Sequence, residues 1–352
     1  MKACVVGSTG YAGQQLVTIL MNHPEITTLY LGSHSSFGKP FSEHYPHTKH
    51  IVSINMLPVE TLLEPEFLKS ENIDLIFFAL PHGLSADPIG ELAPLGIKMI
   101  DLGTDLRLRS PELTREWYGE PPSPELLGQA VYGLSEHYRE AIQKAQIIAN
   151  PGCYATATLL AALPAIQSGM IQSQTLIVDA KSGISGAGRQ AQIESLFSEA
   201  TENVKPYKVG THRHTPEIEQ ALALHSPTNG LTSPFKVLFS PSVVPMSRGI
   251  VSAVYGSIEP KYSEEALLKV YSKIYENAPF IRLVNQPPMT KAVRGSNYTD
   301  IWVHVDSRTH TFVAMAAIDN LMKGAASQAV QNMNLMMGFE EDCGLRYIPL
   351  YP

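Results

Sequence analysis

Lys2-Ala3-Cys4-Val5-Val6-Gly7-Ser8-Thr9-Gly10-Tyr11-Ala12-Gly13 opens the chain with an apolar strand pattern that breaks into three glycines, each three residues from the next. Gln14 to Leu20 then read as a helix. Strand, glycine turn and helix are the context that a dinucleotide fingerprint requires, because bare backbone lets a pyrophosphate approach the helix N-terminus. The spacing is G-x-x-G-x-x-G rather than G-x-G-x-x-G, and the same turn could serve as a tight connection with no ligand. Gly7, Ser8, Thr9, Gly10, Tyr11, Ala12 and Gly13 are the candidate pyrophosphate contacts.

The α/β pattern continues outward. A second strand over Thr27–Leu31 ends in Gly32-Ser33-His34-Ser35-Ser36, with Lys39 close behind. An NAD site usually places an acidic residue here for the ribose 2′-OH. Ser33, His34, Ser35 and Lys39 offer donors instead, which suits the 2′-phosphate of NADP(H) or a solvated polar loop. Asp74–Leu80 is a third, almost continuously apolar strand, and Lys98–Leu102 a fourth, with a helix over Ser85–Leu95 between them. Arg107 follows the fourth strand, where an open parallel sheet presents its ligand crevice, and is a candidate anion binder or a salt-bridge partner. Residues 110–144, rich in proline, read as irregular with a helix start near Ser135.

Asn150-Pro151-Gly152-Cys153-Tyr154-Ala155-Thr156 places a cysteine between an apolar strand (Ala145–Ala149) and a helix with Leu159, Leu160, Leu163 and Ile166 on one face. A thiol in a first helical turn meets free N–H groups and the positive end of the macrodipole, and both favour thiolate. Cys153 is read as a nucleophile or as a buried structural cysteine.

Beyond about residue 170 the grammar changes. Strands over Thr175–Ala180, Lys236–Ser240, Gly249–Ser257, Ile301–Asp306 and Thr311–Ile318 often follow one another without a helix. That is the pattern of an α+β domain with a mostly antiparallel sheet. Helices are expected over Arg189–Thr201, Thr215–Leu224, Glu264–Glu276 and from Asp319 through Met337. The domain expectation is residues 1–150, completed by a helical segment over 319–352, and a second domain over 151–318.

Two further stretches carry chemistry. Lys181 to Arg189 sets serines and glycines after a strand, and Ser182 with Gly183 could cradle an anion or a carbonyl or form a flexible loop. Gly210-Thr211-His212-Arg213-His214-Thr215-Pro216-Glu217 puts two histidines before a capped helix. A thiolate that makes and breaks an acyl bond needs a group that handles a proton near neutral pH, so His212 or His214 is the candidate partner. Arg248, before a strand, could join the site or stand in an exposed turn. Arg107, Asn150, Ser182 and Arg248 are the candidate substrate contacts, and Ser182 and Gly183 are also candidate cofactor contacts.

The whole composition is consistent with this. The 352 residues are 44% hydrophobic and 17% charged, with a net charge of -7, which gives no reason to expect nucleic acid. No apolar run approaches the roughly 18 residues of a membrane span, and no signal-peptide pattern opens the chain. Cys4, Cys153 and Cys343 are odd in number and far apart, which argues against a disulfide framework and for a reducing, cytoplasmic setting. No metal-ligand spacing occurs.

Seven motifs in order make the chain resemble the N-acetyl-γ-glutamyl-phosphate reductases of arginine biosynthesis, and more distantly the aspartate-semialdehyde dehydrogenases. They are Gly7 to Gly13, Asp105 to Leu108, Asn150 to Tyr154, Ser182 to Arg189, Thr211 to Glu217, Pro245 with Arg248-Gly249, and Asp319 to Ala326. The resemblance implies an NADP-binding Rossmann domain and an α+β catalytic domain that forms a homodimer or homotetramer. It implies a thioester on Cys153, with a histidine of the 212–214 pair as acid/base, and Asn320 and Lys323 on the cofactor side. The substrate would be a small acyl phosphate, reduced to an aldehyde with release of inorganic phosphate. Within enzymes the rivals are a reductase of carrier-protein-bound aminoadipyl phosphate and aspartate-semialdehyde dehydrogenase; outside them, an NADP-binding regulator.

Overall fold

The computed structural model describes residues 1–171, 175–227 and 235–351. The chain divides into two compact units, Met1–Pro151 with Ala325–Arg346, and Gly152–Gly324 with the tail from Tyr347.

In the first unit, strands β1 (Lys2–Val6), β2 (Thr28–Gly32), β3 (Leu75–Phe78), β4 (Lys98–Asp101), β5 (Ala130–Tyr132) and β6 (Ile147–Ala149) form one sheet. Its order is β2-β1-β3-β4-β6-β5, and every pairing is parallel. This is the Rossmann architecture that the opening stretch implied. β3 is buried at all four positions, as a strand covered on both faces must be.

The stretch over 110–144 is not irregular. It holds helices Pro111–Trp117, Pro124–Gln129 and Ser135–Lys144 and the strand β5. Ser110 and Ser123 cap the first two, accepting from the N–H groups of Leu113 and Leu126, each with proline at the first helical position. The prolines that suggest broken structure are helix starts.

The C-terminal helix, Ser327–Met337, ends at Gly338 in the left-handed region and does not run on towards residue 352. Its buried amides serve the unit's core. Asn332 Nδ2 donates to Gly133 O at 2.7 Å and to Asn150 Oδ1 at 3.1 Å, and Gln328 Nε2 donates to Gly133 O at 2.8 Å.

In the second unit, β7 (Thr175–Ser182), β8 (Lys205–Pro206), β9 (Lys236–Val243), β10 (Ile250–Ser257), β11 (Ile281–Leu283), β12 (Thr299–Asp306) and β13 (Thr311–Ile318) form a sheet of order β11-β12-β13-β10-β7-β9-β8. Two pairings, β7 with β9 and β11 with β12, are parallel and the others antiparallel.

The helix Cys153–Gln167 packs against β10 and β13 and against helices Thr215–His225 and Glu264–Ile274. It is buried from Tyr154 to Ile166 and has no solvent face, contrary to the one-sided pattern expected for it. Its alanines and threonines are small enough for close packing on every side. Pro164 cannot donate to the carbonyl of Leu160, and Tyr275 Oη supplies the missing bond at 2.6 Å.

The helix expected over Arg189–Thr201 is replaced by a 3₁₀ turn, Ile193–Ser195, and one helical turn, Phe197–Ala200. Phe197 is 84% exposed, so its apolar pattern gains no burial to support a longer helix. The Ser182–Gly183 stretch likewise leads into a 3₁₀ turn, Ile184–Ala187, and not into an α-helix.

Away from these helices the sheet shows an outer face. Across it run His304, Val313, Tyr255, Ile177 and Leu238 in direct register. Ile177 and Leu238 are exposed.

Candidate active site

The glycine turn is shaped by three different needs. Gly7 has φ +89, and a Cβ there would lie 2.5 Å from the carbonyl oxygen of Ala79. A Cβ on Gly13 would lie 2.9 Å from Ser8 Cα. Both glycines are demanded by the turn itself. Gly10 is different: a Cβ there would meet nothing nearer than Gly7 O at 3.9 Å. It precedes the helix Tyr11–Leu20, which no side chain caps. The backbone there is bare towards open space, which is the cradle a pyrophosphate needs.

At the end of β2, Ser33 is buried and its Oγ accepts from Ser36 N–H at 3.1 Å. His34, Ser35 and Lys39 are exposed, and His34 Nδ1 lies 3.8 Å from a Glu60 carboxylate oxygen.

Past β4, Asp105 accepts from the N–H groups of Gly83, Ser85 and Ala86 and from Ser85 Oγ. Burial pushes its carboxyl up, but these donors outweigh burial and hold it below its ordinary value. Asp101, fully buried, is pushed up to about 6 by burial and then by the charge of Asp105. Arg107 is buried, with Nε donating to Asn150 O at 2.9 Å and Nη2 to Leu102 O at 3.1 Å. Asn150 spends its carboxamide on Asn332 and on Ala325 O. Both side chains, read from sequence as substrate contacts, are engaged within the protein and brace the ends of β4 and β6.

In the second unit Cys153 is the first residue of its helix, partly exposed, with Gly152 at the N-cap and no side chain capping the turn. Gly152 N–H donates to Glu217 Oε1 at 2.8 Å, and Glu217 is fully buried. The turn that carries the cysteine is thus tied to the first turn of the helix that follows the two histidines.

His212 and His214 are both buried, their rings 4.7 Å apart between centroids. His214 N–H donates to His212 Nδ1 at 3.1 Å, which places the proton of the neutral His212 ring on Nε2. Nε2 lies 3.4 Å from Tyr207 Oη, Tyr207 Oη donates to Tyr154 Oη at 3.4 Å, and Tyr154 Oη donates to Ser242 O at 3.3 Å. Burial, then the charges of Arg213 and Lys208, push the His212 pKa down to about 4. Burial raises the Tyr207 phenol, the bond to Tyr154 offsets part of that, and Cys153, when ionised, would raise it further. Tyr207 therefore stands within electrostatic reach of both Cys153 and His212. Sequence reasoning missed it, since an isolated tyrosine in a polar segment carries no periodic or motif signal. Glu217 was legible only as the end of the Thr211–Glu217 motif at a helix start.

The remaining candidates build a frame. Gly183 N–H donates to Gly249 O, and a Cβ on Gly183 would lie 2.7 Å from Ser247 O. Ser182 Oγ is buried and donates to Gly183 O. Asn320 Oδ1 accepts from Gly249 N–H at 2.7 Å, and its Nδ2 donates to Ser185 Oγ at 2.9 Å. Arg248 pairs with the buried carboxylate of Asp319. Among the described residues no cluster of side chains could hold a metal ion, and no helix is long and apolar enough to cross a membrane.

Residues 2–145 match the family model described as semialdehyde dehydrogenase, NAD binding domain, and residues 153–320 match semialdehyde dehydrogenase, dimerisation domain. Two solved structures share the fold. Aspartate semialdehyde dehydrogenase II from Vibrio cholerae aligns with a TM-score of 0.71 at 20% identity, over 96% of this chain and 98% of that one. The Candida albicans aspartate semialdehyde dehydrogenase with NADP aligns with a TM-score of 0.67 at 18% identity, again over 96% and 98%. Together these define a two-domain protein of the semialdehyde dehydrogenase class. Within that class, proteins named N-acetyl-gamma-glutamyl-phosphate reductase are similar over the full length. The one from Alkaliphilus metalliredigens is 45% identical, with 100% of both chains covered. Those from Lachnoclostridium phytofermentans and Geobacillus kaustophilus are 42% and 44% identical, again with 100% of both chains covered. The chain belongs to the N-acetyl-gamma-glutamyl-phosphate reductase family.

Proposed function

We propose that this chain reduces N-acetyl-γ-glutamyl phosphate to N-acetylglutamate 5-semialdehyde with NADPH, releasing inorganic phosphate, as a cytoplasmic step of arginine synthesis. The observation that carries the reading is the bond from Gly152 N–H to the buried carboxylate of Glu217. It makes the nucleophile's turn and the start of the helix that follows the two histidines one construction.

Cys153 Sγ, as thiolate, attacks the acyl carbon. The bond from that carbon to the phosphate oxygen breaks, and phosphate leaves with the electron pair, giving a thioester. The nicotinamide cofactor, when bound, supplies hydride chemistry. His212, neutral at pH 7, directs Nε2–H at the carbonyl oxygen as it gains negative charge. The thiohemiacetal oxyanion then collapses, the C–S bond breaks, and Cys153 leaves as thiolate. From thioester to aldehyde no net proton is needed, the one proton of the overall reaction going to the departing phosphate, so at the hydride step a donor that keeps its proton suffices, and His212 acts there by hydrogen bonding more than by acid/base exchange. His214 serves through its backbone N–H, which fixes the His212 tautomer.

For the cofactor, the bare backbone at Gly10 suits the pyrophosphate, and Ser33, His34, Ser35 and Lys39 suit the 2′-phosphate. Arg107 and Asn150 act as braces, while Asn320 ties Ser185 to Gly249 beside Ser182 and Gly183, and Arg248 pairs with Asp319. The outer sheet face through Tyr255, Ile177 and Leu238 is the surface we assign to a second copy in a homodimer.

The test runs the reaction backwards. Protein, NADP+ and phosphate are mixed with N-acetylglutamate semialdehyde or with aspartate semialdehyde. NADPH should appear with the first and require phosphate. Preference for aspartate semialdehyde, or turnover without phosphate, contradicts the proposal.

A further inference from the structure

The segment that backs Cys153 is built without a side chain. Gly324 lies in a π-turn, Met322–Ala326, and its N–H donates to Asp319 O at 3.0 Å. A Cβ on Gly324 would lie 2.8 Å from Cys153 Cβ and 3.3 Å from both Cys153 Cα and Ile318 Cδ1. Gly324 is not among the glycines with positive φ. Its backbone conformation is one that any residue adopts, so the need for glycine here is one of space.

The π-turn hangs from a rigid base. Asp319 is fully buried, and its carboxylate accepts from Arg248 Nε and Nη2 at 3.2 and 3.1 Å. It accepts also from the N–H groups of Gly295 at 2.7 Å, Leu321 at 2.9 Å and Met322 at 3.1 Å. A carboxylate with this many donors does not rotate freely, and the turn that starts from it inherits that fixity. π-turns inside helical segments recur at functional sites, where the extra residue re-aims a short length of backbone.

We propose that Gly324, held by the Arg248–Asp319 pair, is a positioning residue for Cys153. The π-turn lays bare backbone against the cysteine's Cα and Cβ, which fixes the direction of the Cβ–Sγ bond. This assigns Arg248 to the support of the nucleophile and not to the substrate. The inference rests on Cys153 being the nucleophile, so its test is separable from the test of that reading.

The experiment compares wild type, Gly324→Ala, Arg248→Lys and Cys153→Ser. Alkylation of Cys153 by iodoacetamide is followed against pH by peptide mass spectrometry in the absence of cofactor, beside kcat and KM for the acyl phosphate. Gly324→Ala should lower kcat about 10- to 100-fold, the scale of loss for a misplacement near 1 Å, with KM changed less than about threefold. Its alkylation profile against pH should also move away from that of wild type. Arg248→Lys keeps a cation beside Asp319 but loses the two-nitrogen grip, so it should shift the profile in the same direction by less; it also serves as the test if Gly324→Ala does not fold. Wild-type alkylation profiles and kcat in both variants, alongside an inactive Cys153→Ser, overturn the positioning role and leave the nucleophile standing. An active Cys153→Ser removes the basis of both.

Discussion

Gly152 N–H donates to Glu217 Oε1 at 2.8 Å, one residue before Cys153 and three after His214. The carboxylate is fully buried, so the N–H it satisfies has no access to water as a substitute. Glu217→Ala should cost about 1–3 kcal/mol in unfolding free energy, the usual penalty for a buried donor left unmade. It should lower kcat roughly tenfold or more, because the turn that carries Cys153 loses its tether. Glu217→Gln keeps an accepting oxygen and should fall between the two. Urea unfolding and initial rates check the order; an Ala variant with wild-type rate and stability contradicts it.

Gly10 separates folding from cofactor binding. Its φ of -76 and ψ of 166 are open to alanine, and a Cβ would meet no protein atom closer than 3.9 Å. Gly10→Ala should therefore fold with wild-type stability yet bind NADPH at least tenfold more weakly, since the methyl group fills the cradle. Gly7→Ala should instead unfold at lower temperature, because it combines a left-handed φ with a 2.5 Å approach to Ala79 O. Calorimetry and NADPH titration on both variants decide it. Unchanged affinity in Gly10→Ala would place the pyrophosphate elsewhere.

The low pKa of His212 has a consequence for stability. In the unfolded chain its pKa returns to about 6.5, and in the folded chain it is about 4. Between those values the unfolded state binds more protons, so stability falls as pH drops through that window and is unaffected above it. The loss amounts to roughly 3 kcal/mol at its full extent, at about 1.4 kcal/mol per pKa unit. Asp101, raised from 3.8 to about 6, acts in the opposite sense: it releases stability as pH rises through its own window. Comparison with His212→Asn isolates the histidine. Wild type should lose more stability than the variant between pH 6.5 and 4, and equal slopes would contradict a buried neutral ring. kcat should also show no acid limb near pH 6.5 from this residue.

The sequence carries the fold where one rule decides it. The strand–glycine–helix opening and the buried apolar run at Leu75–Phe78 follow from period and turn chemistry alone. Helices at Pro111 and Pro124 were hidden because proline reads as a breaker until its capping serine is noticed. The Arg189–Thr201 pattern failed for the opposite reason: a local helical signal found no tertiary surface to bury Phe197. At the site, Cys153, His212 and His214 announce themselves by chemistry and spacing. Tyr207 and Gly324 do not, since Tyr207 is bonded to Tyr154, 53 positions away, and Gly324 backs Cys153, 171 positions away, and no local pattern encodes either. For Arg107 and Arg248 the sequence left two readings open, because it shows a charge but not the carbonyls and carboxylate beside it.

The most direct test of a thioester mechanism at Cys153 is mass spectrometry of the protein mixed with its acyl phosphate in the absence of NADPH. Acyl transfer should add one acyl mass to the peptide carrying Cys153, release one phosphate per adduct, and fail in Cys153→Ser, which should also lose activity by about a thousandfold or more. An adduct confined to Cys4 or Cys343, or full activity in Cys153→Ser, contradicts it.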